Sequence, residues 1–169
     1  MRRPFSVQVF LIRGAESELS YLILHRNERP ELGLPDFWQG ISGALEAGET
    51  FSAAALREVS EETGIVLDCV TDTGFRHFYP IRPEWRQFYG PEPDVVEERV
   101  FYAHVMPSTE AVLSPEHKAS RWCTFLEAAS SLTFGSNAEC LRSVNRALSA
   151  TGARLRKIPF SSAGARREA

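Results

Sequence analysis

One stretch limits the fold of this 169-residue chain more than any other, GALEAGETFSAAALREVSEETGI from Gly43 to Ile65. A glycine-bearing loop runs into a segment in which Thr50 can cap a helix, Ala53, Ala54, Ala55 and Leu56 favour it, and Gly64 can end it. The spacing predicts a helix over Thr50 to Thr63. At about 100° per residue, Ser52, Leu56, Val59 and Thr63 share the face expected to be buried, with Glu58, Glu61 and Glu62 clustered opposite. Those three carboxylates stand at i, i+3 and i+4, where like charges repel by roughly 0.2–0.5 kcal/mol per pair. Taken alone they read as a solvated acidic face. A hard divalent cation such as Mg²⁺, which takes oxygen ligands and bridges carboxylates to phosphates, would give the cluster a purpose.

The remainder fits a single α/β domain. Hydrophobic residues make up 43% and charged residues 24%, a globular composition rather than a disordered one. Ser6 to Ile12 and Tyr21 to Leu24 read as strands joined in a hairpin across Gly14–Glu18. Phe37 to Leu45 reads as a glycine-rich strand, and Val66–Phe78 and Glu98–Met106 as two more. The proline-bearing Tyr79–Glu97 segment between them is expected to be a long functional loop. Arg121–Phe125 is a short strand candidate, and Asn137–Ala150 a helix with Ala138, Leu141, Val144 and Leu148 on one stripe. The domain is expected over 1–152, followed by a basic, flexible tail over 153–169. Strands interleaved with two helices imply a mixed sheet packed between helices.

The net charge of -3 speaks against a nucleic-acid partner. No apolar run approaches the ~20 residues of a membrane span, and Met1-Arg2-Arg3-Pro4 is not followed by a signal-peptide core. No membrane partner is expected, and the cytoplasm is the expected location. Cys69, Cys123 and Cys140, odd in number and irregularly spaced, suggest neither a disulfide framework nor a zinc site.

From Gly43 to Ile65 the chain matches G-x5-E-x7-R-E-U-x-E-E-x-G-U, with U aliphatic, at every specified position. Seven fixed residues at ~1 in 20 each make a chance match on the order of 10⁻⁹ per starting point. The chain thereby resembles the Nudix hydrolase family. The resemblance implies a Nudix-type α/β/α sandwich with a mixed central β-sheet, and a pyrophosphohydrolase using Mg²⁺, with Mn²⁺ an alternative. It implies that Glu58, Glu61 and Glu62 hold the metal together with the Gly43 carbonyl. Arg57, a permanently charged fork, is expected to pair with Glu49 and pin loop to helix, leaving the three glutamates free, and Gly64 to stop the helix in a left-handed turn. Two residues are candidates for the base: Glu58 inside the motif and Glu116, in LSPEHKASRW, outside it. Glu97 and Glu98 rank behind them.

Within the family, Pro35-Asp36-Phe37-Trp38-Gln39, the EHKASRW stretch and the helix after Gly135-Ser136-Asn137 resemble the bacterial dihydroneopterin triphosphate pyrophosphatase branch. That likeness implies cleavage of dihydroneopterin triphosphate or a purine dNTP to monophosphate and pyrophosphate, and a place in folate synthesis. Phe37, Trp38, Phe78 or Tyr79 would stack on the heterocycle, and Asp36 or Gln39 would meet its edge. Arg26 would hold phosphate. The chain departs from the branch in a longer Arg26–Asp36 loop and in the composition of Tyr79–Glu97, both expected to line the pocket. A dinucleoside polyphosphate or ADP-ribose hydrolase is the alternative, and a non-hydrolytic nucleotide sensor a weaker one. The substrate is a small phosphate-bearing molecule, and the chain is expected to act as a monomer or homodimer.

Overall fold

The structure, a computed structural model, describes residues 1–15 and 18–156. In chain order the described residues form β1 (Phe5–Arg13), β2 (Ser20–Arg26), β3 (Phe37–Gln39), β4 (Ile41–Ala44), α1 (Phe51–Thr63), β5 (Thr71–Pro80), the four-residue α2 (Arg86–Tyr89), β6 (Val95–His104), β7 (His117–Cys123), α3 (Phe125–Ser131) and α4 (Gly135–Arg156). The strands make one mixed seven-stranded sheet. β1 runs parallel to β6, while the other pairings are antiparallel.

Alternation along β1 builds two cores. Val7, Val9 and Leu11 face α1 with Leu22, Ile41, Ala55 and Val59. Phe10 and Ile12 face α3 and α4 with Ile23, Val100, Leu141 and Val144. Each of the valine, leucine, isoleucine and phenylalanine side chains, removed from water, contributes about 1.5–3 kcal/mol. The expected sandwich of helices around a mixed sheet is therefore the fold.

β1 and β2 pair only at Ile12↔Tyr21 and Arg13↔Ser20. Beyond those positions β1 pairs with β4, and β2 with β3 and β7. The parted strands open the cleft that holds the site.

Several elements differ from the sequence expectations. The Phe37–Leu45 strand is two strands broken at Gly40, where a Cβ would lie 3.0 Å from the Phe10 ring. The strand expected from Val66 is β5 and begins at Thr71. The strand expected from Glu98 is β6 and begins at Val95, ahead of its charged run, because Glu97 pairs with Arg76 across the ladder at 3.1 Å and with Arg99 at 2.9 Å. The intervening segment is shorter than expected and structured, with a 3₁₀ turn at Pro83–Trp85, α2, and a small core of Ile81, Tyr89 and Val96. The short strand starts at His117 and is followed by α3, which was not anticipated. The last helix runs from Gly135 to Arg156, so it passes the expected domain boundary; residues 157–169 of the expected tail lie outside the described residues.

The face of α1 also needs correction. Ser52 is exposed, and the buried stripe includes Ala55, Glu58, Val59 and Glu62, at i, i+3, i+4 and i+7. Two of the three glutamates thus lie inward with the apolar residues instead of opposite them. Glu61 alone of the three is turned to solvent.

Candidate active site

Thr50 caps α1 by accepting from Ala53 N at 3.2 Å, and Gly64 ends it at φ 68°, its N–H donating to Ser60 O at 2.9 Å. Between these ends Arg57 ties the loop to the helix. Its Nε donates to Glu49 Oε1 at 2.7 Å and its Nη2 to Glu49 Oε2 at 3.0 Å, a two-pronged pair. Nη2 also donates to the Ala44 carbonyl at 2.9 Å. The expected Arg57–Glu49 clamp is present, but it does not leave the other glutamates free. Nη1 bonds Glu58 at 2.7 Å and Glu61 at 2.9 Å.

Glu62 lies deeper. It accepts from Ser42 N at 3.4 Å and has Arg26 Nη1 at 3.6 Å. Arg26 turns its other nitrogen to Glu116, whose loop is pinned to β2 by Asn27 N donating to Glu116 O at 2.9 Å. His117 Nε2 approaches Glu62 at 3.7 Å. Burial holds this imidazole down to about 4, so at neutral pH it is uncharged and the contact is not an ion pair.

Electrostatics follow from this burial. Desolvation raises Glu58 against the pull of Arg57, and pushes Glu62 up to about 8 against the pull of Arg26. Glu49 moves the other way, held low by its bond from Arg57. Among the described residues, no three His, Cys, Asp or Glu side chains converge as a metal cluster. The donors nevertheless suit a hard divalent cation: two buried carboxylates that each share one arginine with other acids, a third beside them, and a bare backbone at Gly43. A Cβ at Gly43 would lie 1.9 Å from the Glu58 carboxylate, so the strand and that carboxylate approach only because the residue is glycine.

These groups line a cleft of about 700 Å³ that also takes in Phe37, Gln39, Tyr79 and Trp85. Strand alternation divides the Asp36–Gln39 quartet expected to bind substrate. Phe37 and Gln39 line the cleft, whereas Asp36 and Trp38 do not. Asp36 is held by Lys118 and lies 3.4 Å from His25. Trp38 stacks on His25, with centroids 4.6 Å apart, and packs into the α3–α4 core. Phe78 is 55% exposed and lies outside the cleft, while its neighbour Tyr79 lines it. The two segments that depart from the branch both line it, and Trp85 Nε1 donates to Leu32 O at 3.2 Å where they meet.

A smaller recess of about 250 Å³ adjoins the cleft, sharing Phe37, Gln39, Ser42, Tyr79 and Trp85 with it. Gln8, Glu98, Phe134 and Asn137 also line it; the sequence names only Glu98 as a site candidate, a lower-ranked base, and the structure seats it in this recess. Gln8 gave a signal, being a polar residue at an inward position of the apolar run VQVFLI. The others come from distant elements and are joined only by the fold.

A NUDIX domain is recognised over residues 2–144. The chain belongs to this family, and the class its fold and site define is a Nudix pyrophosphohydrolase. It is 29% identical over 130 residues to the dihydroneopterin triphosphate diphosphatase of Escherichia coli (strain K12), covering 72% of this chain and 78% of that one. The solved structure of the E. coli dihydroneopterin triphosphate pyrophosphohydrolase is similar with a TM-score of 0.68 at 28% identity, covering 83% of this chain and 93% of that one. The chain is also 37% identical over 117 residues to an octanoyltransferase of Myxococcus xanthus, covering 69% of this chain. It spans only 30% of that relative's length.

Proposed function

We propose that this chain hydrolyses a diphosphate linkage in a nucleoside-triphosphate-like substrate, dihydroneopterin triphosphate or a purine dNTP, releasing monophosphate and pyrophosphate with Mg²⁺ or Mn²⁺. The observation that carries this reading is the pair of buried carboxylates, Glu58 and Glu62, facing a cleft that also holds Arg26 and opens onto an aromatic recess. The names of the E. coli relatives support the choice of substrate. The octanoyltransferase name is not carried over, because carboxylates and arginines around a cleft suit phosphates rather than acyl groups. Leu32 and Trp85 meet along one wall of the cleft, which favours one heterocycle over the two of a dinucleoside polyphosphate. Three free cysteines among the described residues fit a reducing compartment such as the cytoplasm.

Glu58, Glu61, Glu62 and the Gly43 carbonyl would hold the cation. When bound, it would neutralise phosphate charge and stabilise the leaving oxygen. The chain's own groups do the rest. Arg26, free to exchange Glu116 for phosphate, orients the polyphosphate. Glu49 and Arg57 fix the loop that carries Gly43. Glu116, side-chain exposed at 59% and seated at the cleft, accepts the proton as a water oxygen bonds to phosphorus. The bridging oxygen leaves with its electron pair.

The test is turnover of dihydroneopterin triphosphate and dATP with Mg²⁺, scored by release of pyrophosphate. Glu58→Gln and Glu62→Gln are expected to lose at least ~100-fold in kcat with the thermal midpoint retained. Glu116→Gln is expected to lose ~10²–10⁴-fold at saturating metal. Wild-type turnover in either of the first two would sink the metal assignment, and in the third the base.

A further inference from the structure

The recess behind the cleft contains more hydrogen-bonding capacity than the fold uses. Gln8 Nε2 donates to Asn137 Oδ1 at 3.0 Å, but Gln8 Oε1 has no partner among the described residues, nor does Gln39 Nε2. Both atoms are buried, and both side chains line the recess. Buried polar atoms are rarely left unpaired, since each costs the desolvation of its group. Beside Gln8 stands Glu98, on the opposite side of β1 from β3. Its strand lies beside β1, and the register Ser6↔Glu98 and Gln8↔Val100 sets Glu98 diagonal to Gln8. It is 5% exposed; Oε2 accepts from Ser6 Oγ at 3.3 Å, Cys140 Sγ lies 4.0 Å from Oε1, and Ser42 also bonds the carboxyl. No cationic side chain pairs with it among the described residues.

A carboxylate accepts and cannot donate, an amide oxygen accepts, and the Gln39 nitrogen donates. Flat aromatic rings stand in its walls, Phe37, Tyr79, Trp85 and Phe134, and His77 and Arg82 line it as well. We propose that this recess seats the heterocycle of the substrate and that Glu98, with Gln8 and Gln39, selects a 2-amino-4-oxo edge. Such an edge, shared by guanine and pterins, offers a ring N–H and an amino group as adjacent donors, with a carbonyl beside them. The carboxylate takes the two donors, Gln8 Oε1 reinforces the amino contact, and Gln39 Nε2 meets the carbonyl. Adenine presents a ring lone pair in place of the N–H, which a carboxylate repels. Burial has pushed the Glu98 carboxyl up to about 7, and a pair of N–H donors stabilises its charged form.

The inference rests on the proposed function for the direction in which substrate lies, phosphates toward Glu62 and heterocycle toward Glu98. It distinguishes among the substrates that reading leaves open, favouring dihydroneopterin triphosphate and guanine nucleotides over dATP. The experiment measures kcat and KM for dihydroneopterin triphosphate, GTP and dATP, and the Kd of GTP and ATP without divalent metal, for wild type, Glu98→Gln and Gln39→Leu. Wild type is expected to prefer the first two substrates at least ~10-fold, consistent with one well-made base contact. Glu98→Gln is expected to lower the GTP-to-dATP ratio of kcat/KM by ~10–100-fold, through KM rather than kcat, with the Kd ratio following. Gln39→Leu serves if Glu98→Gln does not fold, and should shift both ratios the same way. A wild-type preference for dATP, or equal losses on all substrates in the variants, overturns the inference. Metal-free preference for GTP without any turnover would instead refute the hydrolase reading and leave this one standing.

Discussion

At Gly43 the close approach of backbone and carboxylate can be tested with a single methyl group. The atom a Cβ would meet is the end of the Glu58 side chain, which can swing aside, so Gly43→Ala should fold. It should nonetheless displace Glu58 and lower kcat/KM by ~10–100-fold, as loss of a supporting contact at a metal site does. Steady-state kinetics beside a melting curve will check both halves, and a near-native rate would refute the crowding. Arg57 makes a second case. Its fork fills both Glu49 oxygens while still reaching Ala44 O, a pattern lysine cannot reproduce. Arg57→Lys is expected to cost about 1–3 kcal/mol in urea unfolding, the range for charged hydrogen bonds at a half-buried site. The Arg57–Glu49 partnership was legible from the motif. That Arg57 also gathers Glu58 and Glu61 was not, because one-dimensional spacing does not say how far a guanidinium reaches around its own helix.

Among the elements, α1 shows how a pattern can be right in period and wrong in phase. Residue chemistry correctly predicts the helix, its Thr50 cap and its Gly64 stop, and the 3.6-residue repeat assigns its faces. The buried face differs from the one the period suggests, because charged glutamates read as outward residues whereas the cleft gives Glu58 and Glu62 an inward place. β3 gives the complementary lesson. Its two-residue alternation, applied to Asp36–Gln39, separates Phe37 and Gln39 from Asp36 and Trp38 without any structure. Which pair faces the cleft depends on pairing with β2. α3 carries a local signal of its own: Thr124 Oγ1 accepts from Glu127 N at 3.4 Å and Glu127 Oε2 from Thr124 N at 2.9 Å, the reciprocal cap that Thr-x-x-Glu announces. Thr124→Ala should destabilise the protein by about 0.5–2 kcal/mol without changing KM. Chemical denaturation will measure this, and an unchanged midpoint would mean that packing alone holds α3.

On the scale of the whole molecule, three buried titratable groups shape stability against pH. Glu98 and Glu62, raised to about 7 and about 8, bind protons in the folded state that the unfolded chain has released above the ordinary carboxylate range near 4.3. Folding is therefore weakened as pH rises through those windows. His117, lowered to about 4, acts oppositely: its contribution is present above its unfolded value near 6.5 and is lost as pH falls toward 4. Comparing wild type with Glu98→Gln isolates one of the three. The variant should gain stability relative to wild type between pH 5 and pH 8, by on the order of 4 kcal/mol as an upper bound at 1.36 kcal/mol per unit. Parallel melting-temperature profiles for the two proteins would show that Glu98 is not perturbed.

By itself the sequence determined the loop–helix motif, the identity of its glutamates and arginine, and an α/β sandwich. Caps, periodicity and residue chemistry act over a few neighbours, and that range is enough to specify those features. The tertiary structure alone decided that β1 parts from β2 to open a cleft, that Arg26 stands between Glu62 and Glu116, and that Gln8, Gln39, Glu98 and Asn137 share one recess. Those residues come from four separate elements. Their meeting is set by strand register and by two cores packing on opposite faces of one sheet, which no local pattern encodes.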